Sequence, residues 1–295
     1  MALVEHDDMI EAIATDRTDQ PLNEWILPRR AIGDDDFFNA PMLDPQAEEL
    51  AASGTDDLPV IHFVDRGSAG APGSQTHGKY VGMADAMVVA LAGLGAARIS
   101  IENQADVDAF QITLGGGASM TCLAANGFVR NRATRVANVN TENERSLCFI
   151  LRYGGFDYLI GGDTIGRTFG SENAEVEKAI GEFLASQNIN VDVLHVNHHG
   201  ANNASSAGFL SVASPEVAVI SLGNGNSHHH PNKEALERLI DAGVYRIYQT
   251  EWGTTRDPIP DMIRRRQAIF QGDIILTTDG TTYTISTSRT FDVDG

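Results

Sequence analysis

The chain has 295 residues, of which 42% are hydrophobic and 21% charged, enough apolar material for one large α/β domain or two small ones. Its formal net charge of −19 argues against tight binding to nucleic acid or to an anionic membrane, since both call for a basic surface. The two cysteines, Cys122 and Cys148, are too few for a disulfide scaffold, and each lies in an apolar run, so buried free thiols in a reducing compartment are expected.

Residues 1–57 read as an acidic, irregular arm with short helices at Glu11–Ala14 and Pro45–Ser53. The first residues carry neither a basic n-region nor an apolar h-region, so they do not read as a signal peptide. The most apolar stretch, Met83–Ala97, contains Asp85 and falls short of the roughly 20 apolar residues of a membrane span. A soluble, cytoplasmic protein without a membrane partner is the expectation.

A single domain is expected over 58–295. Leu58–Val64 reads as a buried strand, Gly67–Gly78 as a loop and the alanine-rich run Tyr80–Ala97 as a helix. From Phe110 the texture becomes β-like. Strands are predicted at Phe110–Leu114, Ser119–Ala124, Leu147–Tyr153 and Phe156–Ile160, with Gly154-Gly155 as a tight hairpin turn. Helix and strand then alternate: helices at Ser171–Gln187, Ala207–Ala213 and Asn232–Ala242, strands at Val191–Val196, Val217–Leu222 and Val244–Gln249. A last hairpin joins Ile274–Thr278 to Thr282–Ile285 across Asp279-Gly280. Arg264-Arg265-Arg266, the one local basic run, reads as a solvated loop. Hairpins followed by β-α-β-α-β imply a mixed sheet covered by helices.

Four segments adjoining predicted strands carry chemistry. Gly161-Gly162-Asp163 places a carboxylate at a strand end, where it can ligate a cation or, more blandly, cap a turn. His198-His199-Gly200 ends the strand Val191–Val196. Strand alternation would point the two imidazoles to opposite faces, one to the site and one to the packing. His195, inside the strand, reads as a core histidine. His228-His229-His230 stands in a Gly/Asn loop before a helix, and such tracts bind metals readily. Asn143-Glu144-Arg145-Ser146, before the strand at Leu147, says little by itself.

Taken in order, these segments resemble a known family. Asn-x-x-Ser at 143–146, Tyr-Gly-Gly-Phe at 153–156, Gly-Asp at 162–163 and Val-Asp-Val-Leu-x-Val-x-His-His-Gly at 191–200 are followed by Ala-Val-Ile-Ser-x-Gly at 218–223. Then come His-Pro at 230–231, Glu-Ala-Leu-Glu-Arg-Leu at 234–239 and Tyr-Gln-Thr-Glu-x-Gly at 248–253. The series, covering about 110–290, resembles the metallo-β-lactamase-like domain attached to the ComEC/Rec2 DNA-uptake proteins. The resemblance implies an α/β fold, the αββα sandwich, incomplete on its amino-terminal side. It also implies a metal-dependent hydrolase of phosphoester or other ester bonds, acting on a small-molecule or phosphoester substrate. One or two Zn or Mn ions would be held by Asp163, His198, His199 and His230, with Asp163 and His199 catalytic. There the cation brings the pKa of bound water toward about 7.

The family's main ligand motif, His-x-His-x-Asp-His, is absent from the sequence. The implied metal is therefore expected to bind weakly. Three readings stay open: a hydrolase whose missing segment lies upstream, a non-catalytic scaffold or binding module that keeps the fold, and a half-site completed by a partner chain.

Overall fold

The computed structural model describes residues 2–6, 9–14, 62–67, 75–166 and 175–287. Most of its strands belong to one nine-stranded sheet. The amino-terminal side of that sheet is an antiparallel meander: β5 (Gln111–Gly115), β6 (Ala118–Ala125), β8 (Cys148–Tyr153) and β9 (Phe156–Ile160), with β7 (Phe128–Val129) paired on β6. From β9 onward the pairing is parallel, through β10 (Val193–His195), β11 (Val217–Ile220), β12 (Arg246–Gln249) and β13 (Gln267–Ile269). Parallel neighbours need a crossover, and a helix is the usual one. Here α3 (Val176–Ser186), α4 (Ala207–Ala213) and α5 (Lys233–Asp241) serve in turn.

The central parallel strands β9, β10 and β11 are buried on both faces, which is why they read as largely apolar runs. Leu159, Leu194, Ala218 and Ile247 meet the helices, packing with Ile180 and Leu184 of α3, Phe209 and Leu210 of α4 and Leu236 and Leu239 of α5. Their neighbours in sequence, Tyr158, Val193, Val217, Val219 and Tyr248, face the other way. That side is closed by a hairpin of β14 (Ile274–Thr278) and β15 (Tyr283–Thr287), which contributes Ile274 and Leu276. The described residues thus give a mixed α/β architecture of helices, a large sheet and a second, small antiparallel sheet. None of the helices among them is long and apolar enough to cross a membrane.

Several sequence expectations need correction. β1 (Ala2–His6) and β2 (Met9–Ala14) form a hairpin that extends the small sheet at β14. Glu11–Ala14 is therefore strand and not helix, because ladder pairing with a distant partner overrides local propensity. Pro45–Ser53 and most of the expected strand Leu58–Val64 lie outside the described residues; the strand there is β3 (His62–Asp65). The helix expected at Tyr80–Ala97 is α1 (Gln75–Ala90), so its first turn lies in the expected loop. Ala97 itself opens a strand missed by sequence, β4 (Ala97–Ser100), parallel to β3. An apolar run without period gave no sign of that boundary. A short helix, α2 (Gln104–Ala109), was also missed, although a capping box of Asn103 and Asp106 announces it. In the expected basic loop, Arg264 ends the short helix α6 (Asp261–Arg264), and Arg264 and Arg265 are exposed.

Because β9 to β13 run the same way, the loops after β9, β10, β11 and β12 emerge at one edge of the sheet. That edge, at the carboxyl ends of parallel strands, is where open α/β sheets place their ligands. Leu194 of β10 is fully buried beneath it. We expect Leu194→Ala to lower the unfolding free energy by about 2–5 kcal/mol in urea titrations. Met262→Ala, at an exposed position, should stay within about 0.5 kcal/mol. Equal small effects would contradict a sheet packed on both faces.

Candidate functional site

Asp163 follows β9 through Gly161 and Gly162. Gly162 has a positive φ of 56° and lies against the Leu147 carbonyl oxygen, leaving little room for a side chain. The bend carries Asp163 under the edge of the sheet, where it is 4% exposed. The loop after β10 is tied to the same bend, since the His198 amide donates to the Gly162 carbonyl over 2.9 Å.

His198 and His199 do not continue the strand. Both take left-handed backbone angles, φ 50° and 52°, an uncommon conformation for non-glycine residues that surrounding contacts must hold in place. The turn overturns the expectation that the two imidazoles point to opposite faces. His199 Nε2 is 3.6 Å from Asp163 Oδ1. His198 stands beside His230, ring centroids 5.5 Å apart, and His199 stacks on His230 at 6.4 Å. Of the late histidine run, His228 also packs on His230, at 5.8 Å. His229 turns outward, where its Nε2 meets the Arg256 guanidinium at 2.5 Å. The sequence-predicted residues Asp163, His198, His199 and His230 are therefore one cluster.

Neighbouring groups orient these rings. His199 Nδ1 lies 2.9 Å from the Ser221 carbonyl oxygen. A carbonyl only accepts, so Nδ1 carries a hydrogen, and Nε2 faces the Asp163 carboxylate. A proton or a cation between Nε2 and the carboxylate would satisfy both. His198 Nε2 accepts from Asn143 Nδ2 at 3.1 Å, which brings the uninformative Asn-x-x-Ser segment into the site. Ser146, the other end of that segment, is buried against Gly162. His230 is fixed by Asn226, whose side-chain oxygen accepts from the His230 amide at 2.9 Å and whose amide group donates to the His230 carbonyl at 3.1 Å.

Burial, reinforced by the neighbouring imidazoles, lowers the pKa of both His198 and His230 to about 4, so both are neutral at pH 7. His195, as expected, is a core histidine. It is 3% exposed, lies 3.0 Å from Ser221 Oγ through Nε2, and burial lowers its pKa to about 3.

Sequence reasoning missed one group beneath the site. Glu177 of α3 is fully buried and its carboxylate accepts from Asn197 Nδ2 at 2.8 Å and from the Ser205 and Ser206 amides at 2.5 and 2.8 Å. Burial raises its pKa, against the pull of these hydrogen bonds. The signal was legible: Glu177 shares a helix face with Ile180, Gly181 and Leu184, at spacings of three, four and seven, and all are buried. A carboxylate on a core-facing stripe is seldom idle.

The chain is similar to competence proteins. It is 29% identical over 115 residues to ComE operon protein 3 of Bacillus subtilis (strain 168), a stretch that makes up 39% of this chain and 13% of that protein. It is 31% identical over 110 residues to Competence protein ComA of Neisseria gonorrhoeae, 37% of this chain and 14% of the relative. A shorter stretch of 49 residues is 43% identical to Recombination protein 2 of Haemophilus influenzae. The chain thus matches only about a seventh of the length of these curated relatives, or less. No protein-family profile matches it.

The donor set can be tested against the metal that the resemblance implies. Two ligands of a tetrahedral zinc, each about 2.1 Å from it, stand about 3.4 Å apart, and the 3.6 Å between Asp163 Oδ1 and His199 Nε2 fits that spacing. Neutral imidazoles and a carboxylate also suit Zn or Mn chemically. The set does not close, however. Among the described residues no three His, Cys, Asp or Glu side chains are arranged to hold a metal ion.

The buried imidazoles tie stability to pH. A histidine whose folded pKa lies below its unfolded value of about 6.5 takes up protons more readily when unfolded. Its contribution is complete above that value and is lost as pH falls toward about 3 for His195. The slope is at most about 1.4 kcal/mol per pH unit for each such group. Glu177, with its raised pKa, works in the opposite direction. We expect the unfolding free energy to fall between pH 7 and pH 5, and His195→Gln to make that fall shallower. An unchanged slope in the variant would remove His195 as a source of it.

Proposed function

We propose that this chain is a ComEC/Rec2-type domain of the metallo-β-lactamase-like αββα class. In this reading Asp163, His198, His199 and His230 supply part of a metal-dependent hydrolase centre for phosphoester or other ester bonds. The observation that carries the reading is the Asp163–His199 pair. It is buried at the carboxyl edge of the parallel strands, with Nε2 of the imidazole held toward the carboxylate by the Ser221 carbonyl. Similarity to the competence proteins supports the family side of the reading.

Asp163 and His199 would hold the cation, Zn or Mn, with His230 and His198 beside them. A bound divalent cation would supply an acidified water and offset negative charge on the substrate. The chain's own residues do the rest. Asp163 places a negative charge where a cation or a transferred proton gains most, in a site poor in water. The rings of His198 and His230 are neutral at pH 7 and add no positive charge beside it. Asn143 and the Ser221 carbonyl set the ring orientations in the way outer-shell partners fix ligating histidines.

The absence of His-x-His-x-Asp-His, together with donors that do not close into a three-ligand set among the described residues, favours a site that needs further ligands. These would come from another segment or a partner chain. A scaffold or binding module that keeps the fold without turnover is the second reading, and the same observation supports it. The substrate is a small molecule or a phosphoester. Tight nucleic-acid binding fits poorly with a net charge of −19.

We expect protein purified without added metal to hold substoichiometric zinc and manganese by elemental analysis. We also expect it to hydrolyse bis-p-nitrophenyl phosphate at no more than background, even with either ion added. A segment or chain bearing the missing motif should restore turnover, and Asp163→Ala should abolish what is restored. Activity of the isolated chain that survives Asp163→Ala would defeat the hydrolase reading. Failure of every supplied motif to raise metal binding would leave the scaffold.

A further inference from the structure

We propose that Glu177 is the positioning residue of the cluster, holding the loop 197–206 so that His198 and His199 face Asp163 and His230. Only the use of the cluster as a hydrolase centre rests on the reading above; the positioning itself does not.

The geometry is specific. One carboxylate oxygen of Glu177 takes Asn197 Nδ2 and the Ser205 amide, and the other takes the Ser206 amide. These contacts fall on the two ends of the loop. Asn197 immediately precedes the left-handed pair, and Ser206 is the residue before α4. Asn197 and Ser205 are themselves fully buried. Gly166 leaves the space that the carboxylate fills, since a side chain there would collide with it.

The carbonyl side of the same loop has its own partner. Arg238 of α5 donates from Nε to the Ser205 carbonyl at 3.0 Å and from Nη2 to those of Asn202 and Ala204 at 2.9 and 2.7 Å. The Glu177 carboxylate gathers the Ser205 and Ser206 amides, and the Arg238 guanidinium gathers the Asn202, Ala204 and Ser205 carbonyls, of a stretch whose one 3-10 turn, Asn197–Gly200, is broken by its left-handed residues. Asn232 links this loop to the late histidine loop: its amide donates to the Gly200 carbonyl at 2.8 Å and its side-chain oxygen accepts from the Asn202 amide at 2.8 Å. Of these anchors Glu177 alone reaches the residue next to His198, so its charge bears most directly on the strained turn.

The test uses the full chain and histidine side-chain NMR. In wild type, the long-range nitrogen–proton spectrum should show His199 with its Nδ1 hydrogen held by the Ser221 carbonyl. Glu177→Gln keeps the size but turns one acceptor into a donor facing an amide. In that variant the ring-nitrogen shifts of both His199 and His198 should move. His195, on β10 and outside the loop, should keep its signals, separating a local effect from general loosening. A folded Glu177→Gln with His198 and His199 signals unchanged would overturn the proposal. Should that variant not fold, wild-type hydrogen exchange decides. Ser205 and Ser206 amides protected as well as those of β10 support the clamp, and amides exchanging like an exposed loop overturn it. Zinc titration and phosphodiester hydrolysis, run alongside, report on the hydrolase reading alone, so each idea can fail without the other.

Discussion

Burying an irregular loop is costly, because each backbone N–H and C=O taken from water needs a partner that no helix or ladder provides. The segment 197–206 faces this constraint at the edge where the parallel strands end. Glu177 answers for the Ser205 and Ser206 amides and Arg238 for the Asn202, Ala204 and Ser205 carbonyls. Both come from helices that the sheet already requires as crossovers. The turn that bends His198 and His199 into left-handed angles is thereby held from beneath, and the rest of the cluster is arranged around it.

The large sheet supplies what such a loop needs in order to be precise. Its central parallel strands, β9 to β11, are packed on both faces, so their carboxyl ends are fixed points from which short loops depart. The Gly162 carbonyl accepts the His198 amide, and the Gly200 carbonyl accepts the Asn232 amide. Loops from three different strands are thus hydrogen-bonded to one another before any ligand is considered. Stiff supports of this kind let a site hold buried imidazoles beside a carboxylate, an arrangement that would relax apart on a mobile loop.

Electrostatically the cluster is asymmetric. Asp163 brings the negative charge, and the rings of His198 and His230 stay neutral near pH 7 because burial and mutual proximity disfavour a second positive charge. Among the described residues no three His, Cys, Asp or Glu side chains are arranged to hold a metal ion. The similarity to competence proteins covers a small part of their length.

Much of the fold was legible in the sequence from Phe110 onward. There, hairpin glycines, apolar strands and capped helices punctuate the chain at spacings that local physics enforces, and α4 and β9 have the bounds that those signals predict. Asp163, His198, His199 and His230 could be singled out because each follows an apolar strand. Their relation could not. Strand alternation gave the wrong directions for His198 and His199, since a left-handed turn held by distant residues has no local signature. The pairing of β2 with β14, and the meeting of Glu177 with Asn197, Ser205 and Ser206, join residues far apart in the chain. From Phe110 onward the sequence by itself determined most of the strands and singled out Asp163 and the histidines as residues that could do chemistry, because periodicity and residue type are local properties. Only the tertiary structure decided which of those residues meet and which way they face, because that depends on long-range pairing and on the need to satisfy buried polar groups.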